Sequence, residues 1–137
     1  MHNTELARDY IQRAAARLRA VDVLFEAESW ADVVRESQEI VELALKALLR
    51  SVGIDPPRTH DVSEVLEAEA HRLPEEIRKE LDALKRISRD LRRDRELAFY
   101  GAEDLTPSGF YNREDGARAR ADSRRTVELV KPHIRQG

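Results

Sequence analysis

WADVVRESQEIVELALKALLRSV, residues 30–52, is the stretch that decides the fold. Mostly apolar residues recur in it every three or four positions, which predicts an amphipathic helix. Further apolar residues widen this stripe beyond that of an ordinary surface helix, so other helices must cover most of its sides. The widened stripe consists of Trp30, Val33, Val34, Ser37, Ile40, Val41, Leu43, Ala44, Leu45, Ala47, Leu48 and Val52.

One edge of this central helix is polar. Arg35, Glu39, Glu42 and Lys46 follow one another at spacings of four, three and four, which places them in one line along the helix. The line has two interpretations. It is either a solvated edge stabilised by Arg35/Glu39 and Glu42/Lys46 pairs, or a supporting polar face turned towards a functional site.

The composition is that of an all-helical protein. The chain has 137 residues, of which 41% are hydrophobic, 37% charged and 5% aromatic, and no stretch concentrates strand-forming residues. This length fits one domain, residues 1–137, with a core of its own. Cysteine is absent, which excludes disulfides, thiolate catalysis and cysteine-based zinc sites.

The charge distribution carries information about location and partners. A net charge of −3 argues against bulk electrostatic coating of nucleic acid, although a local basic patch remains compatible with it. Charged residues from Glu5 to Arg17 occupy the region where a signal peptide would have an apolar core, and no apolar run is long enough to span a membrane. We therefore expect a cytoplasmic protein with no membrane association.

Capping and breaking residues divide the rest of the chain into further helices. Thr4 or Asn3 can cap the first helix, Asp61 the short third one, and Pro74 suits the first turn of the fourth. We expect an antiparallel up-and-down bundle of four main helices plus one short helix. The predicted helices span approximately residues 4–26, 30–52, 62–71, 74–100 and 114–134, with an ordered loop at 101–112.

The fourth helix carries a cluster of cations. Arg86, Arg89, Arg93 and Tyr100 fall within a narrow arc, and residues 85–95 hold six cations against two aspartates. Guanidinium groups grip phosphate oxygens and a tyrosine offers a ring and a hydroxyl, so this arc is a candidate phosphate-binding face. The alternative is a solvated helix face whose arginines are partly paired with the two aspartates.

Arg95 has an unusual position, because it falls on the axis of the apolar stripe of the same helix. An arginine buried without a partner would cost several kcal/mol. We therefore expect either a carboxylate, Glu39 or Glu42, or a cleft holding an anion beside it.

Four segments stand in order along the chain: RESQEIVELALKALL at 35–49, GI at 53–54, PRTHDV at 57–62 and RDRELAFYG at 93–101. Together they resemble the HEPN (higher eukaryotes and prokaryotes nucleotide-binding) domain family, and the resemblance covers nearly the whole chain. It implies an all-helical bundle, usually a homodimer, often encoded beside a minimal nucleotidyltransferase in toxin–antitoxin-like pairs. It also implies that many similar proteins are metal-independent ribonucleases whose Arg-x4-6-His motifs meet across the dimer.

The chain departs from that motif at one position. Aligning Arg93 and Tyr100 with the Arg-x4-His-x-Tyr form places Ala98 in the histidine slot, and a methyl group cannot transfer protons. Arg95 is the alternative match for the motif arginine. Tyr100 matches the tyrosine that partner nucleotidyltransferases adenylylate in related pairs, which makes it a modification candidate. His60 is a less favoured replacement for the missing imidazole, because a histidine before a helix is more often a local contact.

Three functions are consistent with these residues. The first is a dimer that binds nucleotide or RNA phosphates through Arg86, Arg89, Arg93, Arg95 and Tyr100 and pairs with a minimal nucleotidyltransferase. The second is a metal-independent ribonuclease toxin working without the family histidine, with Arg93, Arg95 and Tyr100 as catalytic candidates. The third is an interaction module whose cations only keep it solvated. A dimer is also favoured by the wide apolar girth of the central helix. No metal or cofactor is expected beyond a bound nucleotide.

Overall fold

The computed structural model describes residues 2–56, 58, 61–100 and 106–135, with the side chains of His2 and of residues 93–100 outside that description. Within these ranges the chain forms seven α-helices and no strand, which confirms the predicted all-α class. Four long helices form the bundle and three short ones connect them. The helices are α1 (His2–Glu26), α2 (Trp30–Ser51), α3 (Val62–Ala68), α4 (Glu75–Lys79), α5 (Leu81–Tyr100), α6 (Pro107–Phe110) and α7 (Arg113–Val130).

Helix α2 is the centre of the bundle and packs against α1, α5 and α7. Its apolar stripe is buried on all of these sides, with Ile40, Leu45, Leu48 and Leu49 fully inaccessible to solvent. One chain therefore covers the wide apolar face that favoured a dimer at the level of sequence. The girth of α2 does not require a second copy.

Local chemistry sets both ends of α2. At its start the hydroxyl of Ser29 donates to Asp32 Oδ2 at 2.7 Å. At its end Gly53 adopts φ +80, a left-handed conformation that glycine takes without a steric penalty, and the amide of Ile54 donates to the carbonyl of Leu49 at 2.9 Å. The predicted boundaries of the central helix agree with these to within one residue.

The predicted fourth helix, residues 74–100, is interrupted. Helix α4 ends at Lys79, Glu80 forms a turn whose amide donates to the carbonyl of Ile77 at 3.0 Å, and α5 begins at Leu81. Both Ile77 and Leu84 are fully buried, so the apolar periodicity continues across the break and does not reveal it. The carboxylate of Glu80 pairs with Arg125 of α7, a tertiary contact that the sequence pattern does not contain.

The last helix is shorter than the predicted 114–134. Helix α7 ends at Val130 and continues as one 3-10 turn, Lys131–His133, because Pro132 has no amide hydrogen to donate to a helical carbonyl. Asn112 caps its start through a capping box with Asp115, in which each side chain accepts from the other residue's backbone amide at 3.0 Å.

Candidate functional site

A pocket of about 410 Å³ lies between α5 and α7 and is bordered by α6. Apolar side chains from α2, α5, α6 and α7 form part of its wall, and charged side chains from α5 and α7 form the rest. Its lining residues are Val34, Arg86, Asp90, Leu91, Phe110, Tyr111, Asp115, Arg118, Ala119 and Asp122. It combines an apolar surface with a few convergent polar groups, which is the usual make-up of a ligand site.

Helical spacing explains why the charged groups converge. On α5, Arg86 and Asp90 are four residues apart and share a face. On α7, Asp115, Arg118 and Asp122 follow at spacings of three and four, on one flank of the buried stripe that α7 presents to the core. Packing of both helices against α2 turns these two polar faces towards each other.

The two guanidinium groups in the pocket are held by ion pairs within their own helices. Arg86 Nη1 lies 3.7 Å from Asp90 Oδ2, and Arg118 Nη2 lies 2.8 Å from Asp115 Oδ1. Roughly half or more of each arginine side chain is exposed, and exposed pairs of this kind stabilise a protein by only about 0.2–1 kcal/mol. An anionic ligand can therefore compete for both guanidinium groups.

Asp122 differs from the other two aspartates of the pocket. Its side chain has no hydrogen bond or ion pair with any other described residue. Burial raises the pKa of this carboxyl group, with a further rise from Asp90, while Arg86, Arg118 and Arg125 oppose the shift. Asp122 is thus a half-desolvated hydrogen-bond acceptor in a pocket, an arrangement that is typical of functional sites.

Two adjacent aromatic residues form the side of the pocket that α6 contributes. Tyr111 is buried, whereas 41% of Phe110 remains exposed, one of the few large apolar side chains so accessible in the described part of the chain. Their rings make an edge-to-face contact with centroids 4.9 Å apart. The exposed ring of Phe110 offers a flat apolar face at the pocket, on which a planar ligand group can stack.

Comparison with known proteins decides the family. The model of the HEPN domain matches residues 7–133. The chain belongs to the HEPN domain family. The crystal structure of TT1696 from Thermus thermophilus is similar to this HEPN chain with a TM-score of 0.69 and 20% sequence identity, over 93% of this chain and 98% of that one. This similarity shows a shared fold. No curated protein matches the sequence.

The structure separates the cations of α5 that the sequence grouped together. Arg86 lines the pocket beside α7, whereas Arg89 donates through Nε to the hydroxyl of Ser63 on α3 at 3.3 Å. Lys85 and Arg92 also face α3, as Lys85 pairs with Glu67 at 3.0 Å and Arg92 Nη1 lies 3.6 Å from Asp61 Oδ1, at the cap of that helix. Lys85, Arg89 and Arg92 thus attach α3 to α5. Of the α5 cations whose side chains the structure describes, Arg86 alone lines the pocket between α5 and α7.

The remaining predicted ligand residues, Arg93, Arg95 and Tyr100, lie on the last turns of α5, where the side chains are outside the described part of the structure. His60 lies outside the described residues as well. The predicted roles of these residues, and the expected carboxylate partner of Arg95, therefore stay predictions.

Of the polar edge of α2, Glu42 faces α5. Glu42 pairs with Lys46 at 3.7 Å, as the spacing indicated, and also accepts from Gln38 Nε2 at 3.3 Å. Gln38 and Glu42 border a small gap together with Ser88 and Arg92 of α5. Arg35 and Glu39 are partly buried. The Glu42/Lys46 pair is the one that the first of the two interpretations of this edge predicts. None of the four residues lines the pocket between α5 and α7, and their supporting role in a functional site stays a prediction.

Sequence reasoning missed the α7 side of the pocket. Arg118 and Asp122 were not singled out, and Phe110 and Tyr111 were assigned only to an ordered loop. A signal was present in the i, i+3, i+7 spacing of Asp115, Arg118 and Asp122. Nothing in that spacing identifies α5 as the neighbour, so the pocket required tertiary information.

No group of three or more histidine or acidic side chains is arranged to hold a metal ion in the parts of the chain that the structure covers. Across the same ranges, none of the helices combines the length and the apolar character needed to cross a membrane.

Proposed function

We propose that this HEPN domain binds a phosphate-bearing ligand, a nucleotide or RNA, in the pocket between α5 and α7. The observation that carries the proposal is the convergence of Arg86 and Arg118 from two different helices on one pocket. Both are held by weak intrahelical pairs, so a phosphate can take over their donors and form stronger charge-assisted hydrogen bonds. Arg93, Arg95 and Tyr100 belong to the same proposed site as its extension along α5.

We also propose that the protein acts as a homodimer and as the partner of a minimal nucleotidyltransferase in a toxin–antitoxin-like pair. Membership in the HEPN family supports this proposal, together with the position of Tyr100 in the motif at 93–101. Tyr100 is the proposed acceptor of an adenylyl group from that partner.

Ribonuclease activity is the second candidate, and Asp122 is the observation that favours it. A proton acceptor works best when its pKa lies near the working pH, and burial shifts the pKa of Asp122 upward, in that direction. The family histidine is absent, since Ala98 occupies its slot. A metal-independent cleavage would therefore depend on a carboxylate beside the two arginines.

Equilibrium binding tests the main proposal. A fluorescein-labelled oligoribonucleotide and unlabelled ribonucleoside monophosphates are titrated with the wild type and with an Arg86→Ala/Arg118→Ala variant. Loss of hydrogen bonds to a charged group costs about 1.5–3 kcal/mol, so we expect the affinity to fall about 10-fold or more. The matched control, Arg120→Ala/Arg124→Ala, removes two arginines from the opposite flank of α7. Equal affinities of all three proteins would contradict the proposal.

Cleavage and modification are measured on the same proteins. Incubation of labelled RNA in EDTA tests the ribonuclease candidate, which predicts products from the wild type and none from Asp122→Asn. The partner proposal predicts a minimal nucleotidyltransferase gene beside this one, and coexpression of the two proteins tests it. We expect an adenylyl group on the peptide that contains Tyr100, absent in Tyr100→Phe, and an unmodified peptide would contradict that role.

A further inference from the structure

We propose that the ligand of the pocket is a single ribonucleotide and not an RNA strand, with its phosphate on Arg86 and Arg118 and its ribose hydroxyls donating to Asp122. This inference rests on the function proposed above, because it assumes that the two arginines receive a phosphate. It adds the chemical class of the ligand and the residue that distinguishes ribose from deoxyribose.

The charge balance of the pocket argues against a simple anion. Three carboxylates, Asp90, Asp115 and Asp122, line it together with only two guanidinium groups. A bare phosphate would gain from the arginines and be repelled by the acids. A ligand that satisfies both the arginines and the carboxylates carries an anionic group and several hydrogen-bond donors. A nucleotide does so, since its ribose hydroxyls donate and its phosphate accepts.

Asp122 is the acid best placed to receive those donors. Asp90 and Asp115 already face arginines of their own helices at 3.7 and 2.8 Å. The carboxylate of Asp122 has no such partner among the described residues and is partly removed from water, so it gains more from a hydroxyl donor than the other two. Carboxylates recognise ribose hydroxyls in the same way in dinucleotide-binding folds.

The size and shape of the pocket favour one nucleotide over a chain. Its volume of about 410 Å³ lies within the range of about 300–1,000 Å³ that is typical of small-molecule sites. The exposed ring of Phe110 supplies one stacking surface for a base.

Isothermal titration of the full chain tests the inference. The probes are the four ribonucleoside 5′-monophosphates, their 2′-deoxy counterparts, inorganic phosphate and an oligoribonucleotide. We expect one or more ribonucleoside monophosphates to bind, about 10-fold more tightly than the 2′-deoxy form, because a hydrogen bond to a charged group is worth about 1.5–3 kcal/mol. Asp122→Asn is expected to reduce this preference to about twofold or less. Glu128→Gln, at an exposed carboxylate of the same helix, should retain it.

The outcomes separate the inference from the function on which it rests. Tighter binding of the oligoribonucleotide than of any monophosphate, dependent on Arg86 and Arg118, would overturn the inference and leave the proposed function standing. Equal affinity for ribose and deoxyribose forms, or a full ribose preference in Asp122→Asn, would overturn the role of Asp122. Absence of binding by every probe would overturn both. Urea unfolding of Asp122→Asn verifies that the variant is folded.

Discussion

The two flanks of α7 use the same residue type in different ways. On the flank beside α1, Arg113 pairs with Glu28 at 2.7 Å and lies 4.9 Å from the centre of the Trp30 ring. On the same flank, Arg120 and Arg124 both pair with the carboxylate of Asp22, at 3.0 and 3.1 Å. The guanidinium group of Arg120 also lies over the ring of Phe25. Arg120 and Arg124 thus attach α7 to α1, and Arg113 attaches it to the connection between α1 and α2.

On the flank beside α5, Asp115, one turn earlier in the same helix, is the only described residue that pairs with Arg118. The facing helix presents Arg86 and Asp90 across a pocket and not in direct contact. The difference shows that the neighbouring element decides the role of each arginine. Where α1 offers an acid and an aromatic ring within reach, the guanidinium is structural, and where α5 leaves a gap, it stays available to a ligand.

The largest effect on stability is expected where Gly116 of α7 packs against Trp30 at the start of α2. A Cβ atom on Gly116 would lie 2.7 Å from Cε3 of the Trp30 ring, so Gly116→Ala requires the indole to shift. Overpacking of this kind costs about 1–3 kcal/mol, which urea unfolding measures. Ala117→Ser adds one atom at the neighbouring exposed position and should change stability by less than about 0.5 kcal/mol. Equal stability of both variants would show that this contact is loosely packed.

The next largest effect on stability is expected from replacing an arginine, and it should differ between the two flanks of α7. Arg113→Ala loses an ion pair and cation–π contacts with two rings, so we expect a loss of about 1 kcal/mol in the free energy of unfolding. Among the contacts of the described residues, Arg118→Ala loses a pair within its own helix, worth about 0.2–0.5 kcal/mol. An equal loss in both variants would contradict the division of α7 into a structural flank and an available flank.

A smaller effect is expected at the carboxylate that two arginines share. Asp22→Asn leaves Arg120 and Arg124 without their acid, at a cost below about 1 kcal/mol because the pairs are partly exposed. The cost should shrink in 1 M salt, where charges are screened over about 3 Å. Asp9→Asn, which breaks the more exposed pair with Arg13, is the matched control and should change less. A loss of stability in Asp22→Asn that does not change with salt would show that this side chain stabilises the fold through packing and not through its charge.

The smallest effect concerns the pH dependence of stability on the α5 flank. Because burial raises the pKa of Asp122 above its ordinary value of 3.8, the folded chain holds this proton more tightly than the unfolded chain. The stabilisation is complete below pH 3.8 and is lost as the pH rises through the folded pKa. Relative to Asp122→Asn, the free energy of unfolding of the wild type should fall as the pH rises from 3.8 through the pKa of the folded state. Urea unfolding at a series of pH values measures this difference. A constant difference would contradict the desolvation of Asp122.

Much of the fold could be predicted from periodicity and capping residues. The stretch at 30–52 indicated a central covered helix, and Gly53 marked its end, because helical spacing and a left-handed turn are local properties. The break at Glu80 could not be predicted, since buried apolar residues continue on both sides of it and Glu80 contacts Arg125 on a distant helix.

The candidate site was predicted only in part. The cation run of α5 pointed to Arg86, and the structure places Arg86 in a pocket. The same run also pointed to Arg89, which contacts Ser63 on α3. A helical projection shows which residues share an arc, but it does not show which helix stands opposite each part of that arc.

The amino-acid sequence by itself determined the helical class, the central position of residues 30–52 and membership in the HEPN family, because these depend on spacing and residue type along one chain. The tertiary structure decided which arginines are consumed by packing and which line a pocket with Asp122. The physical reason is that a guanidinium group responds to acids, rings and gaps within a few ångströms, and those come from segments far apart in the chain.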